Sequence, residues 1–147
     1  MRRITAEELQ RIPGMHFLTQ VGRLRSTETP QGSRHVVDAV VRVPSDSPLM
    51  SGRSEWSHVV FLEAANNLSH WIEHQVPAVD GVLFKVPTAF PRGMGMPPIV
   101  PDEDIAVRGE TYFQLTNGRW RGEVTVEFYR ADGSRAETVN FPLIARM

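Results

Sequence analysis

Apolar and polar residues along the chain follow one of two periods, and where the period changes the structural element changes with it. Residues 55–74 (EWSHVVFLEAANNLSHWIEH) carry apolar side chains at helical spacing over about five turns. Pro77 lies just beyond, where a helix does not continue. Val59, Val60, Phe61, Leu62, Ala64, Ala65, Leu68, Trp71 and Ile72 cover most of this helix's circumference, as a nearly enclosed helix requires. From Gly81 onward the period is two. Trp120, Val124, Val126 and Phe128 point one way, and Arg119, Arg121, Glu123, Thr125 and Glu127 the other, which predicts a strand with one dry face. Asn117-Gly118 before it and Asp132-Gly133 after it are turn pairs that tolerate positive φ. With GVLFKV, DIAVRGETYF and ETVNFPLIA as flanking strands, the C-terminal half predicts a meander of about four antiparallel strands.

The N-terminal half begins with a short helix opened by Thr5, with Glu8 three residues on as a capping box and Pro13-Gly14 as its stop, placed as a lid or brace. Residues 15–25 (MHFLTQVGRLR) and 35–43 (HVVDAVVRV) are rich in branched and aromatic residues, and the turn material TETPQGS between them predicts a hairpin. PSDSPLMSGRS reads as a loop. The order helix, hairpin, long helix, meander implies an α+β domain, because a helix joined to a single antiparallel sheet must bury itself against one face of that sheet. At 147 residues the expectation is one domain spanning 1–147.

Composition narrows the partners. A formal net charge of −1 offers no basic excess for a phosphate backbone, so no nucleic-acid partner is expected. The absence of cysteine excludes disulfides, thiolate metal sites and a cysteine nucleophile. The start MRRITAEELQRIPG is too polar for a signal peptide and no apolar run approaches a membrane span, so a cytoplasmic location without a membrane partner is expected.

On the long helix Glu63, Asn66, Asn67 and His70 fall at i, i+3, i+4 and i+7 and form one polar stripe on a mostly apolar cylinder. The stripe is either the wet face of an amphipathic helix or a functional surface. Two adjacent asparagines, each about 0.5 kcal/mol or more poorer than alanine as helix formers, favour a role. A carboxylate desolvated on such a helix has a raised pKa, which suits a general base or acid near neutral pH, and Glu63 is the candidate. Ser54, Glu55, Ser57 and His58 are expected in the first turn. There they cap the helix and complement its dipole, or leave N–H groups free to polarise an acyl carbonyl. His16 stands alone in a strand-like segment, either as a packed or surface residue or as an acid or base. His35, His58 and His74 show no metal-ligand spacing with a carboxylate, so neither a metal nor a cofactor is expected. Ser57 lacks a GxSxG context, and GMGMPP lacks the lysine and the strand-to-helix setting of a phosphate loop.

SEWSHVVFLEAANNLSHW, GVLFKVPTAFPRG, PIVPDEDIAV and RGEVTVEFYRADGSRAETVNF together resemble the hot-dog superfamily, most of all the FcoT-like acyl-CoA thioesterases. That resemblance implies a long central helix wrapped by a curled antiparallel sheet, and a homodimer with active sites between subunits. The implied substrate is an acyl thioester of coenzyme A or of a carrier protein. The family's helix asparagine falls on Asn66 and its first-turn asparagine on Ser57; its pocket tyrosines fall on His16, Leu49 and His70. Taking the stripe, the helix start and the resemblance together, catalysis is expected of Glu63, Asn66, His16 and His58, and substrate binding of Ser57, Asn67, His70, Arg92 and Arg121, the arginines near strand ends meeting the pantetheine phosphates. A second resemblance is to the β-hydroxyacyl carrier-protein dehydratases, through Glu63-Ala64 with Asn67, although the His-Phe-Pro-Gly motif is absent and Leu49 occupies the place of its histidine. It implies a lyase acting on a 3-hydroxyacyl or enoyl thioester. A non-catalytic acyl-binding domain is the third reading.

Overall fold

The computed structural model describes residues 1–12, 16–80, 83–85 and 98–145. Their elements run β1 (Arg2–Arg3), α1 (Ala6–Arg11), β2 (Leu18–Val21), β3 (Arg25–Thr29), β4 (Gly32–Val41), a 3₁₀ turn (Pro48–Met50), α2 (His58–His74), β5 (Leu83–Lys85), β6 (Ile105–Thr116), β7 (Arg119–Tyr129) and β8 (Arg135–Ala145). The strands form one antiparallel sheet in the order β1-β2-β4-β6-β7-β8-β5, with β3 also on β4. Helix α2 lies on its inner face and touches β2, β4, β6, β7 and β8. This α+β arrangement, a long helix held by an antiparallel sheet, is the hot-dog fold, and the sheet is not closed.

The alternation read in 119–128 holds. Val124, Val126 and Phe128 are buried, together with Val107 and Phe113 on β6 and Val37, Ala39 and Val41 on β4, so three strands present one apolar surface. Gly109 lets α2 come close: a Cβ there would lie 2.7 Å from Leu68 Cδ2 and 3.1 Å from Ile72 Cδ1. At the β6–β7 hairpin Asn117 and Gly118 have φ of 53° and 75°, the left-handed pair that a two-residue turn requires.

Several boundaries differ from the expectation. The meander has three strands, β6, β7 and β8. β5 pairs with β8 at the far side (Leu83↔Ala145), since both edges of β6 are already taken by β4 and β7. The first hairpin is shorter and tighter than expected. β3 zips onto β4 from Thr29↔Gly32 to Arg25↔Val36, so most of TETPQGS is strand and Pro30-Gln31 makes the turn; β2 joins the same edge further along (Leu18↔Val41, Val21↔Ala39). Val59 is 52 % exposed beside a fully buried Val60, so the first turn of α2 has one dry and one wet side.

Helix α1 forms the expected capping box, Thr5 and Glu8 bonding each other reciprocally; Pro13 and Gly14 lie outside the described residues. No residue of α1 itself is buried, so it is a brace held by polar contacts. Glu8 accepts from Arg2 at 2.6 and 3.0 Å and from Trp71 Nε1 at 3.0 Å, tying β1 and α1 to α2. The Arg2 guanidinium, followed by the indole N–H, holds the Glu8 carboxyl far below the usual carboxylate range. A group whose folded pKa is depressed stabilises the fold fully above its unfolded pKa of about 4.3, and the contribution fades as pH falls towards the folded value. Glu8→Gln is therefore expected to cost about 1–2 kcal/mol at pH 7 in chemical denaturation and measurably less at pH 3, where the unfolded carboxyl is already protonated and the folded one is not. An equal loss at both pH values would sever the link to ionisation.

Candidate active site

The polar stripe on α2 is neither fully wet nor fully enclosed. Glu63, Asn66 and His70 are half-buried, while Asn67 is 0 % exposed. Asn67 Oδ1 accepts from the Phe17 backbone N–H at 2.8 Å. Its Nδ2 donates to the Glu63 carbonyl at 2.8 Å and to Glu63 Oε1 at 3.3 Å. One amide thus pins α2 to the chain entering β2 and steadies the Glu63 carboxylate. Asn67, expected to contact substrate, is an enclosed side chain whose oxygen and nitrogen are both engaged within the chain. Asn66 is one position away, and its amide makes no hydrogen bond among the described residues.

His16 precedes Phe17 and is exposed, on a surface groove of about 460 Å³ that also borders Arg3, Leu18 and Arg42. The Asn67 bond to Phe17 holds the chain next to His16 against α2, while no α2 residue lines the groove among the described residues. His58 is not brought beside Glu63. It is exposed at the first position of α2, five residues before Glu63, which turns it about 140° away around the helix.

The helix start also differs from expectation. α2 begins at His58, so Ser54 and Glu55 lie in the exposed loop before it; Ser57 is the N-cap residue, and its side chain makes no cap bond. Asn66 stands eight residues in, about 12 Å along the axis. The first-turn N–H groups and the Asn66 amide therefore cannot hold one carbonyl oxygen within a single chain. Arg121 is exposed on the face of β7 opposite α2, paired across the strands with Gln114 and Ile144, because the period of two turns it away from the buried Val124. It cannot meet a substrate bound beside the helix of its own chain. Arg92 lies outside the described residues. Leu49 sits in the 3₁₀ turn and packs against the core.

Two polar groupings escaped the sequence reading. Asn66, Ser69, His70 and Glu73 repeat the i, i+3, i+4, i+7 spacing one turn further along, with Ser69 and Glu73 buried and Ser69 Oγ donating to Glu73 Oε2 at 3.1 Å. Continuing the stripe's period past His70 would have found them. Under the sheet's other end, His35 is 5 % exposed, between Ser26 Oγ at 2.7 Å from Nδ1 and Ser33 Oγ at 2.8 Å from Nε2. The enclosed Ser33 hydroxyl needs an acceptor for its proton, so it donates to Nε2, and Nδ1–H donates to Ser26. Burial pushes the His35 imidazole below its ordinary value against the opposing charge of Glu28. Its contribution to stability is complete above the unfolded value of about 6.5 and is lost as pH falls below it. An NMR titration should show the His35 ring protonating below about pH 6.5; a midpoint above that would contradict its burial as a neutral ring.

Among the described residues no three acidic or histidine side chains gather as a metal ion would require, and no helix is long and apolar enough to cross a membrane. No family model matches the chain, and no curated protein matches it in sequence. Among solved structures the chain is similar to a hypothetical thioesterase protein with coenzyme A from Streptococcus pneumoniae, at 13% identity and a TM-score of 0.49, over 84% of this chain and 86% of that one. It is also similar to a presumed thioesterase from Lactococcus lactis, at 6% identity and a TM-score of 0.47, over 87% of this chain and 94% of that one.

Proposed function

We propose that the chain hydrolyses acyl thioesters of coenzyme A or of a carrier protein, as a homodimer. The observation that carries this reading is the half-buried Glu63 carboxylate, held at 3.3 Å by the enclosed Asn67 amide and flanked on the same helix by the unengaged amide of Asn66. A partly desolvated carboxylate in a fixed rotamer is what a general base needs, and a free side-chain amide one residue away suits an oxyanion donor. In this mechanism Glu63 takes a proton from a water as its oxygen bonds to the thioester carbonyl carbon, and the Asn66 N–H donates to the oxygen that gains charge. Collapse of that intermediate breaks the C–S bond, and Glu63 returns its proton to the departing thiolate, leaving a carboxylic acid and a thiol. His16 is the chain neighbour of Phe17, which Asn67 holds, and His70 lies on the same stripe as Glu63.

The test is incubation with a panel of acyl-CoA and acyl carrier-protein thioesters, including enoyl and 3-hydroxyacyl forms, read by mass. Gain of water with release of free thiol supports the hydrolase. Addition or loss of water with the thioester intact would transfer the same residues to a lyase, and an unchanged panel would leave an acyl-binding domain. If Glu63→Ala and Asn66→Ala both keep full turnover on every accepted thioester, the roles given to these two residues are wrong.

A further inference from the structure

The hairpin of β3 and β4 closes over a titratable group that thioester hydrolysis does not use. His35 on β4 stands opposite Ser26 of β3 and Thr111 of β6, on the inner face of the sheet, and is buried. Its neutral ring bridges two hydroxyls: Nδ1–H donates to Ser26 Oγ at 2.7 Å, and Nε2 accepts from Ser33 Oγ at 2.8 Å. The Phe113 ring lies 5.5 Å away, and Thr111 is fully enclosed. Glu28, across from Ser33 on β3, is the one charged group that acts on the ring among the described residues. β6 and α2 bring no such charge, and Arg34 and Glu110 pair with each other at 2.7 Å on the opposite face of the sheet. β3 itself is lightly held. Four of its five residues are exposed and it pairs with β4 alone; among the described residues its side chains reach the sheet through Ser26 on His35 and Arg25 on Asp38 at 3.5 Å. β4, by contrast, is held by β6 along its whole length, from Gly32↔Gln114 to Val41↔Ile105.

A proton on Nε2 turns an acceptor into a donor. It then faces a hydroxyl whose own proton has lost its acceptor, and the ring carries its charge where little water reaches to solvate it. Burial opposes that charge more strongly than Glu28 favours it. Relief comes where the structure yields most easily, and lifting β3 wets the ring while the β4–β6 ladder stays whole. We propose that the hairpin is an acid-operated latch: neutral His35 holds β3 to the sheet through Ser26, and a proton on the ring releases β3 and bares the edge of β4 from Gly32 to Val36. The closed latch takes up the proton less readily than the open one. Its hold is therefore complete above the open-state value of about 6.5 and weakens as pH falls below it. The latch depends on no assignment of the reaction.

The experiment is amide hydrogen exchange of the full chain, followed by NMR between about pH 7.5 and about pH 5, with rates corrected for intrinsic exchange. The expected result is that protection of the β3 amides bonded to β4 falls at least about fivefold over this range, while that of β7 changes by less than about twofold. The loosening should begin near about pH 6.5 and level off at the titration midpoint of the His35 ring itself. His35→Gln keeps a donor and an acceptor but takes no proton, so its β3 protection should be the same at both ends of the range. If that variant does not fold, Glu28→Gln, at an exposed position, keeps the test. With the one favourable charge removed, the ring protonates at lower pH and the loosening should continue further down the range. Equal β3 protection throughout, a fall shared equally by β7, or a pH dependence that survives in folded His35→Gln overturns the latch. So does a loosening that is abolished by Glu28→Gln, or one that begins only below about pH 5, where carboxylates titrate.

Discussion

Glu63→Gln is expected to lower kcat for thioester hydrolysis by about 10²- to 10⁴-fold with KM changed by less than about threefold. Glutamine keeps the length of the side chain and an oxygen that accepts from Asn67 Nδ2, so the contact seen at 3.3 Å can persist. What disappears is the capacity to take and return a proton. Because that capacity acts only in the transition state, the loss falls on kcat and leaves ground-state binding nearly intact. The side chain is half-buried and carries no ion pair among the described residues, so stability should change by no more than about 0.5 kcal/mol. Steady-state kinetics together with a denaturation midpoint separates these effects. A variant that unfolds more easily and keeps its kcat would make Glu63 a structural residue.

Asn67→Leu should cost about 2–4 kcal/mol of stability. The Phe17 N–H lies in the interior and has Asn67 Oδ1 as its partner at 2.8 Å, so a leucine leaves it orphaned, at about 1–3 kcal/mol. Branching at a fully enclosed site, between α2 and the chain entering β2, adds a packing penalty of about 1 kcal/mol. The check is a shift of the chemical-denaturation midpoint at unchanged slope. In the folded fraction kcat should also fall, by about tenfold, with a changed pH profile, because the Glu63 carboxylate loses the donor that orients it. A stability loss with kcat and pH profile both unaltered would confine Asn67 to tying the helix to the strand.

How far the structure was legible in the sequence follows the range of the forces involved. The capping box at Thr5 and Glu8, the Asn117-Gly118 turn and the dry face of β7 were all readable, because each rests on residues within a few positions of one another. The partner strands were less so. Nothing local distinguishes a β5 that pairs with β6 from one that pairs with β8, and the choice depends on which edges β4 and β7 already occupy. The candidate site shows the same division. The stripe from Glu63 to His70 was visible as a spacing, but the neighbouring asparagines could not be told apart: one is enclosed and fully bonded, the other half-buried with its amide unengaged.

The periodicities of the chain were enough, unaided, to determine an α+β domain with one nearly enclosed helix, since burying an apolar cylinder against a one-sided sheet is the arrangement open to such a pattern. Three things were decided by tertiary structure alone: that Asn67 faces Phe17 across fifty positions of sequence, that His16 arrives beside it, and that Arg121 is turned to the far side of the sheet. A side chain's neighbours on its own helix or strand follow from a fixed rise and rotation per residue. Its neighbours from elsewhere in the chain follow from which surfaces pack together, and that is set by the fold as a whole.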